Sequence, residues 1–158
     1  MRVGYGYDSH RFAPGRRLVL GGVEFPGETG LVGHSDADAL IHALIDALLG
    51  AAALGDIGSH FPDGDPRWKD VDSARLLDAV VAEVLSAGYV ISNVDATVIC
   101  ERPKIGPRVG EIRARLAELL SLPVGSVSVK GKSNEKMDDV GAGLGIEVHA
   151  VCLLEEGK

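Results

Sequence analysis

An α+β domain is what this sequence predicts. Strand-like alternation opens and closes the chain, and three amphipathic stretches with helical spacing lie between. The resulting order (strand, helix, helix, strand, helix, strand, strand) gives one mixed sheet with its helices on one face. At 158 residues a single domain, 1–158, is expected, long enough to bury roughly two-thirds of its unfolded surface.

The first strand, Met1 to Tyr7, carries Val3, Tyr5 and Tyr7 on one face and Gly4 and Gly6 on the other. Continuing the alternation puts Asp8 and His10 on the glycine side, where a carboxylate and an imidazole two apart can share one metal ion. Arg17 to Leu20, Gly21-Gly22 and Val23 to Phe25 read as a small hairpin, and Pro26 to Gly33 as a loop. The first helix follows, to about Ala53, with Ile41, Leu44, Ile45 and Leu48 on its apolar stripe. Asp38, His42 and Asp46 stand four apart on an adjoining ridge. Ser35 with Asp38 matches a capping box, placing His34 and Ser35 at the helix mouth, and Gly55 suits a left-handed cap. The stretch reads equally well as a capped, half-buried helix with one solvated histidine.

Ser59 to Asp72 reads as a long polar loop without the glutamate spacing of a calcium hand; loops of this length are more often functional than idle. Ser73 to Ala87 is the second helix, closed by Gly88, and Tyr89 to Cys100 a strand with Val90, Val94, Ala96, Val98 and Cys100 on one face. Pro103 to Pro107 turns into a third helix near Arg108 to Leu120; Val124 to Lys130 and Ile146 to Leu154 are the last strands. Gly131-Lys132-Ser133 imitates a phosphate loop, yet its first glycine would fall on Ser126. Gly141 to Gly145 opens a strand, so it is no dinucleotide fingerprint. Lys132 and Ser133 can still meet phosphate as a point charge and a hydroxyl.

Composition narrows the function. A net charge of −7, no basic block and 4% aromatic residues argue against nucleic acid. No apolar run approaches the roughly 20 residues of a membrane span, and the first residues lack a signal pattern, so a soluble, cytoplasmic protein is expected. Cys100 and Cys152 are too few for a disulfide framework or a Cys-x-x-Cys site. Asp8, His10 and His42 offer one oxygen and two imidazole nitrogens; three such ligands leave a tetrahedral ion one open position, the catalytic arrangement for zinc, and manganese could also sit there. Asp46 could orient a ligand from behind. The plainer alternative is that Asp8 and His10 end a strand while His42 packs in the core.

Asp8-Ser9-His10, the run His34-Ser35-Asp36-Ala37-Asp38, His42, Asp46, Gly50 to Gly58, Phe61-Pro62-Asp63, Pro103-Lys104 and Glu135-Lys136 occur in one order and spacing. Over essentially its whole length the chain resembles the 2-C-methyl-D-erythritol 2,4-cyclodiphosphate synthase family of the non-mevalonate isoprenoid pathway. The resemblance implies ferredoxin-like α+β subunits in a homotrimer with an active site at each subunit interface. It implies 4-diphosphocytidyl-2-C-methyl-D-erythritol 2-phosphate as substrate, cyclised with loss of CMP. By matching position, Asp8, His10 and His42 hold a transition metal, zinc or manganese, against the β-phosphate. His34 and Ser133 flank the developing charge as catalytic residues, and Glu135 helps hold magnesium on the diphosphate. Asp56, Ile57 and Gly58 meet the methylerythritol, with Phe61, Pro62, Asp63, Gly64 and Asp65 closing that pocket. From the neighbouring subunit, Cys100, Pro103, Lys104, Ile105, Gly106, Gly131, Lys132 and Ser133 cradle cytidine and its phosphates. Ser9, Ser35, Asp46 and Asn134 complete the substrate contacts.

The chain departs from the family at three positions. Asp139 and Ala142 replace an aromatic and an arginine that in relatives face the trimer-axis cavity, which speaks against isoprenoid diphosphate binding there. Lys132 replaces a small hydroxyl residue and is expected to strengthen phosphate binding. Two rivals remain: a metal-dependent phosphohydrolase, and a non-catalytic trimer whose structural metal takes Asp38 or Asp46 as fourth ligand.

Overall fold

The computed structural model describes residues 1–157. Strand β1 (Arg2–Ala13) runs beside β7 (Gly145–Glu156), antiparallel, with Gly6 opposite Ala150 and His10 opposite Ile146. On the other side of β7 lies β5 (Tyr89–Ile99), and β6 (Val127–Lys132) pairs parallel to β5, Ile99 opposite Lys132. A two-residue strand in the loop before the first helix, β4 (Gly30–Leu31), adds to the end of β1. The mixed sheet has the order β4-β1-β7-β5-β6, and the expected hairpin, β2 (Val19–Leu20) with β3 (Val23–Glu24), stands apart. Gly21 (φ 62°) and Gly22 (φ 72°) turn it, a backbone that side chains resist.

The helices are α1 (Ala39–Ala52), α2 (Ile57–His60), α3 (Ser73–Ser86), α4 (Val109–Leu119) and α5 (Asp138–Gly141). Helix α1 lies on β1, β7 and β5, α3 leans on α1 and β5, and α4 on β6, so the core is a single helix-on-sheet layer. Close approach of α1 to β1 depends on Gly4 and Gly6. A Cβ on Gly6 would fall 1.9 Å from the Ala43 carbonyl oxygen, and one on Gly4 1.8 Å from that of Ala47. The opposite face of the sheet is open, with Val3 71%, Tyr5 58% and Val151 42% exposed. Among the described residues no helix is long and apolar enough to cross a membrane.

Several local expectations are corrected. Helix α1 starts later than the capping-box reading requires: its cap is Asp38, fully buried, whose carboxylate accepts from Leu40 and Ile41 N–H and from Gly21 and Gly22 N–H. Asp38 is thus a structural joint between hairpin and helix, and Ser35 lies outside the helix. The left-handed cap is Ala53 (φ 59°), not Gly55. The segment after Ser59 contains a 3₁₀ turn, Pro66–Trp68, and Val124–Ser126 form another before β6. Val90 is exposed because a bulge at Ile91/Asn93 shifts its face of β5. Gly141 belongs to α5 rather than to the last strand.

Candidate active site

Even positions of β1 face α1, so the strand that presents Gly4 and Gly6 to the helix next presents Asp8 and His10, and His42 descends from the first turn of α1 to meet them. Asp8 Oδ2 lies 2.8 Å from His10 Nε2 and 3.1 Å from His42 Nδ1, and the two nitrogens are 3.4 Å apart. Among the described residues no fourth such side chain joins the cluster.

The partners behind the rings decide their tautomers. His10 Nδ1 donates to the Val32 carbonyl (2.6 Å), which leaves Nε2 bare toward Asp8. Ser73 spends its hydroxyl proton on Asp36 Oδ1 (2.5 Å), so its oxygen accepts from His42 Nε2–H (2.9 Å), and Nδ1 is the bare nitrogen. Ser35 Oγ lies 3.1 Å from the same Nε2. One carboxylate oxygen and two imidazole lone pairs therefore converge, an arrangement that repels itself unless a cation lies between. A tetrahedral zinc with bonds near 2.1 Å sets its ligand atoms about 3.4 Å apart, so separations of 2.8, 3.1 and 3.4 Å need open only by tenths of an ångström to take such an ion. Burial pushes the Asp8 carboxyl up, yet the His10 and His42 rings beside it hold it below its ordinary value, the direction that keeps it an anion ready for a cation. Burial pulls His10 down, but the Asp8 carboxylate beside the ring leaves it raised.

The triad forms one end of a cavity of about 240 Å³ walled by Gly33, His34, Ser35, Ile57, Gly58, Phe61, Asp63, Trp68 and Leu76. Asp46, one turn below His42, accepts from Ile57 N–H (2.8 Å) and so positions α2; burial raises its carboxyl. Asp56 caps α2, accepting from Ser59 N–H (2.8 Å). Pro62 accepts from Asp65 N–H, and the Asp65 carboxylate is engaged by Arg67, while its carbonyl lies 3.2 Å from His34 Nε2. Trp68 packs edge-on against Phe61, with Arg67 over its ring. Ser9, at an odd position of β1, lines a different cavity with Arg11 and Asp139. Neither Asp38 nor Asp46 reaches the triad, so the closed structural-metal site has no fourth protein ligand here.

Cys100, Pro103, Lys104, Ile105, Gly106, Gly131, Lys132 and Ser133 line a second cavity, about 380 Å³, at the ends of the parallel strands β5 and β6. The Cys100 thiol points away to the Pro103 carbonyl (3.4 Å), and burial pushes it up to about 11. Beyond the rim Ser133 donates to Glu135 Oε1 (2.5 Å), and Asn134 Nδ2 to the Met137 carbonyl and Asp138. The two cavities share no residue, so one chain brings the predicted site together as two separate halves. Sequence reasoning missed Ser73, Asp36 and the Val32 carbonyl behind the imidazoles, and Trp68 and Leu76 in the wall. The only linear signal was that Asp36 lies inside the quoted His34 to Asp38 run.

A family model described as the YgbB family matches residues 1–155. The 2-C-methyl-D-erythritol 2,4-cyclodiphosphate synthase of Gloeobacter violaceus is 58% identical over 99% of this chain and 96% of its own. The solved bifunctional IspDF from Campylobacter jejuni superposes with a TM-score of 0.95 at 35% identity, over 98% of this chain and 42% of that one. A 2C-methyl-D-erythritol-2,4-cyclodiphosphate synthase solved in a CDP-bound form superposes with a TM-score of 0.90 at 39% identity, over 98% of this chain and all of that one.

Proposed function

The chain belongs to the YgbB family, and from that premise we propose that it is a 2-C-methyl-D-erythritol 2,4-cyclodiphosphate synthase of the non-mevalonate pathway. Its substrate is 4-diphosphocytidyl-2-C-methyl-D-erythritol 2-phosphate, and its products are the cyclic diphosphate and CMP. The observation that carries the reading is the Asp8, His10 and His42 cluster, whose unprotonated donor atoms converge at the end of a cavity.

The attacking phosphate oxygen is ionised at neutral pH, so the chain needs no strong general base, only alignment and charge neutralisation. Asp8, His10 and His42 would hold a zinc or manganese ion, which supplies Lewis-acid polarisation of the phosphoryl oxygens; Glu135 would help hold magnesium on the diphosphate. His34 would donate to an oxygen whose charge grows, and Ser133 would do the same once Glu135, which holds its hydroxyl proton in the free chain, turns to magnesium. Asp56, Ile57 and Gly58 bind the methylerythritol, and the Phe61 to Asp65 segment excludes water. Lys104, Lys132 and the backbone from Gly131 to Ser133 bind cytidine phosphates. Holding both phosphates on one molecule in line removes entropy that in well-aligned cases is worth roughly 7–11 kcal/mol. The disjoint half-cavities and the open apolar sheet face support a homotrimer in which one subunit's triad meets its neighbour's Cys100 to Gly106 wall.

Incubation of the protein with the cytidyl substrate and magnesium, with and without chelator, tests this by product mass. CMP and the cyclic diphosphate are expected, chelator-sensitive; release of free phosphate would favour a phosphohydrolase. His42→Ala should lose both bound metal and turnover, and retained turnover removes the triad from the mechanism.

A further inference from the structure

We propose that Glu101 is a positioning residue for phosphate binding, pinning the Ser133–Glu135 turn from the neighbouring loop. The turn is held in a backbone that its own sequence disfavours. Glu135 (φ 50°) and Lys136 (φ 63°) are successive left-handed residues, followed by Asp138 (φ 55°). Glutamate and lysine lack the short polar side chain that eases this conformation, so it persists only where surroundings enforce it. The turn closes on itself through Met137 N–H to the Asn134 carbonyl (2.9 Å), and the Glu101 carboxylate ties it to the neighbouring loop: Oε1 accepts from Asn134 N–H (3.1 Å) and from Lys136 N–H (3.4 Å), bracketing Glu135. Behind the turn Gly141 packs so closely that a Cβ there would lie 2.4 Å from the Lys136 carbonyl carbon.

The pin belongs to the nucleotide half-site. Cys100 N–H donates to the Lys132 carbonyl (3.0 Å), so Glu101 leaves β5 just where Ser133 leaves β6, and Ser133 lines the cavity. An acid on one cavity wall with Lys104 and Lys136 weakens an anion site by its charge alone. Its use lies in the two amides: with them fixed, Glu135 is held where its Oε1 meets the Ser133 hydroxyl (2.5 Å), and Ser133 stands on the cavity wall. The proposal rests on the phosphate-binding role given above to Ser133 and Glu135.

Glu101→Ala and Glu101→Gln, prepared in the full chain, separate acceptor from charge, because glutamine keeps the accepting oxygen. For E101A we expect CDP affinity in the presence of magnesium, and KM for the cytidyl substrate, to worsen roughly 10- to 100-fold. Zinc content and the thermal midpoint should stay at wild-type values, and amide exchange over 133–138 should accelerate. E101Q should restore affinity and slow exchange. Wild-type CDP affinity in E101A, unaltered exchange, or a glutamine variant as defective as alanine would each overturn the pin. If the wild type binds no CDP, the functional reading falls, and the exchange comparison alone decides the role of Glu101.

Discussion

Ser73 determines which nitrogen of His42 faces Asp8 and His10. It is wholly buried, with its proton committed to Asp36 and its oxygen to the imidazole. Ser73→Ala leaves Nε2–H with only Ser35 as acceptor, so the ring can turn or change tautomer. Zinc affinity is expected to fall roughly 10- to 100-fold, measured by competition with a chromogenic chelator, while the fold survives. Nothing in a linear pattern pairs Ser73 with a histidine 31 positions away, which is why the ligands were legible in the sequence and their support was not. The thiols give a pH-dependent outcome at the same scale. Burial pushes Cys100 and Cys152 up to about 11 from an ordinary 9. The unfolded chain releases these protons near 9 and the folded chain only near 11. Stability is therefore fully present below that window and declines as pH rises through it, which urea midpoints at stepped pH would register. At about pH 8 alkylation by iodoacetamide should run about 100-fold slower than for a free thiol.

At the scale of elements, the contact between β1 and α1 sets the geometry of the Asp8, His10 and His42 cluster. Gly6→Ala drives a methyl into the Ala43 carbonyl, one residue from His42, and the helix must lift. A loss of about 2–4 kcal/mol in chemical denaturation is expected, with weakened zinc binding alongside, because the same shift withdraws His42 from Asp8. Long periodic elements were readable: α1, α3 and the alternation of β1 follow directly from their apolar spacing. Their ends were not. Ser35 and Asp38 satisfy a local capping rule, but Asp38 wins the cap because the hairpin glycines supply two further donors from a distant segment. The short β4 was likewise invisible, since two residues carry no period and pair only because β1 runs past Tyr7 to meet them.

At the scale of the whole molecule, the halves of the site lie on one chain without meeting. Val151 sits on the open sheet face opposite Tyr5 and Asp95. Val151→Glu places a charge there, and we expect it to yield monomers by sedimentation that still bind zinc yet turn over no substrate; a monomeric variant that remained active would refute the shared-site arrangement. The expectation at this level comes from the family resemblance alone, because no single-chain pattern encodes which surface meets a copy of itself. Trp68, finally, is the sole tryptophan of the chain and stands in the wall of the cavity that holds Asp8, His10 and His42. The molecule thus carries a built-in optical reporter: occupancy of that chamber alters the indole's emission, and binding can be followed by light with no label attached.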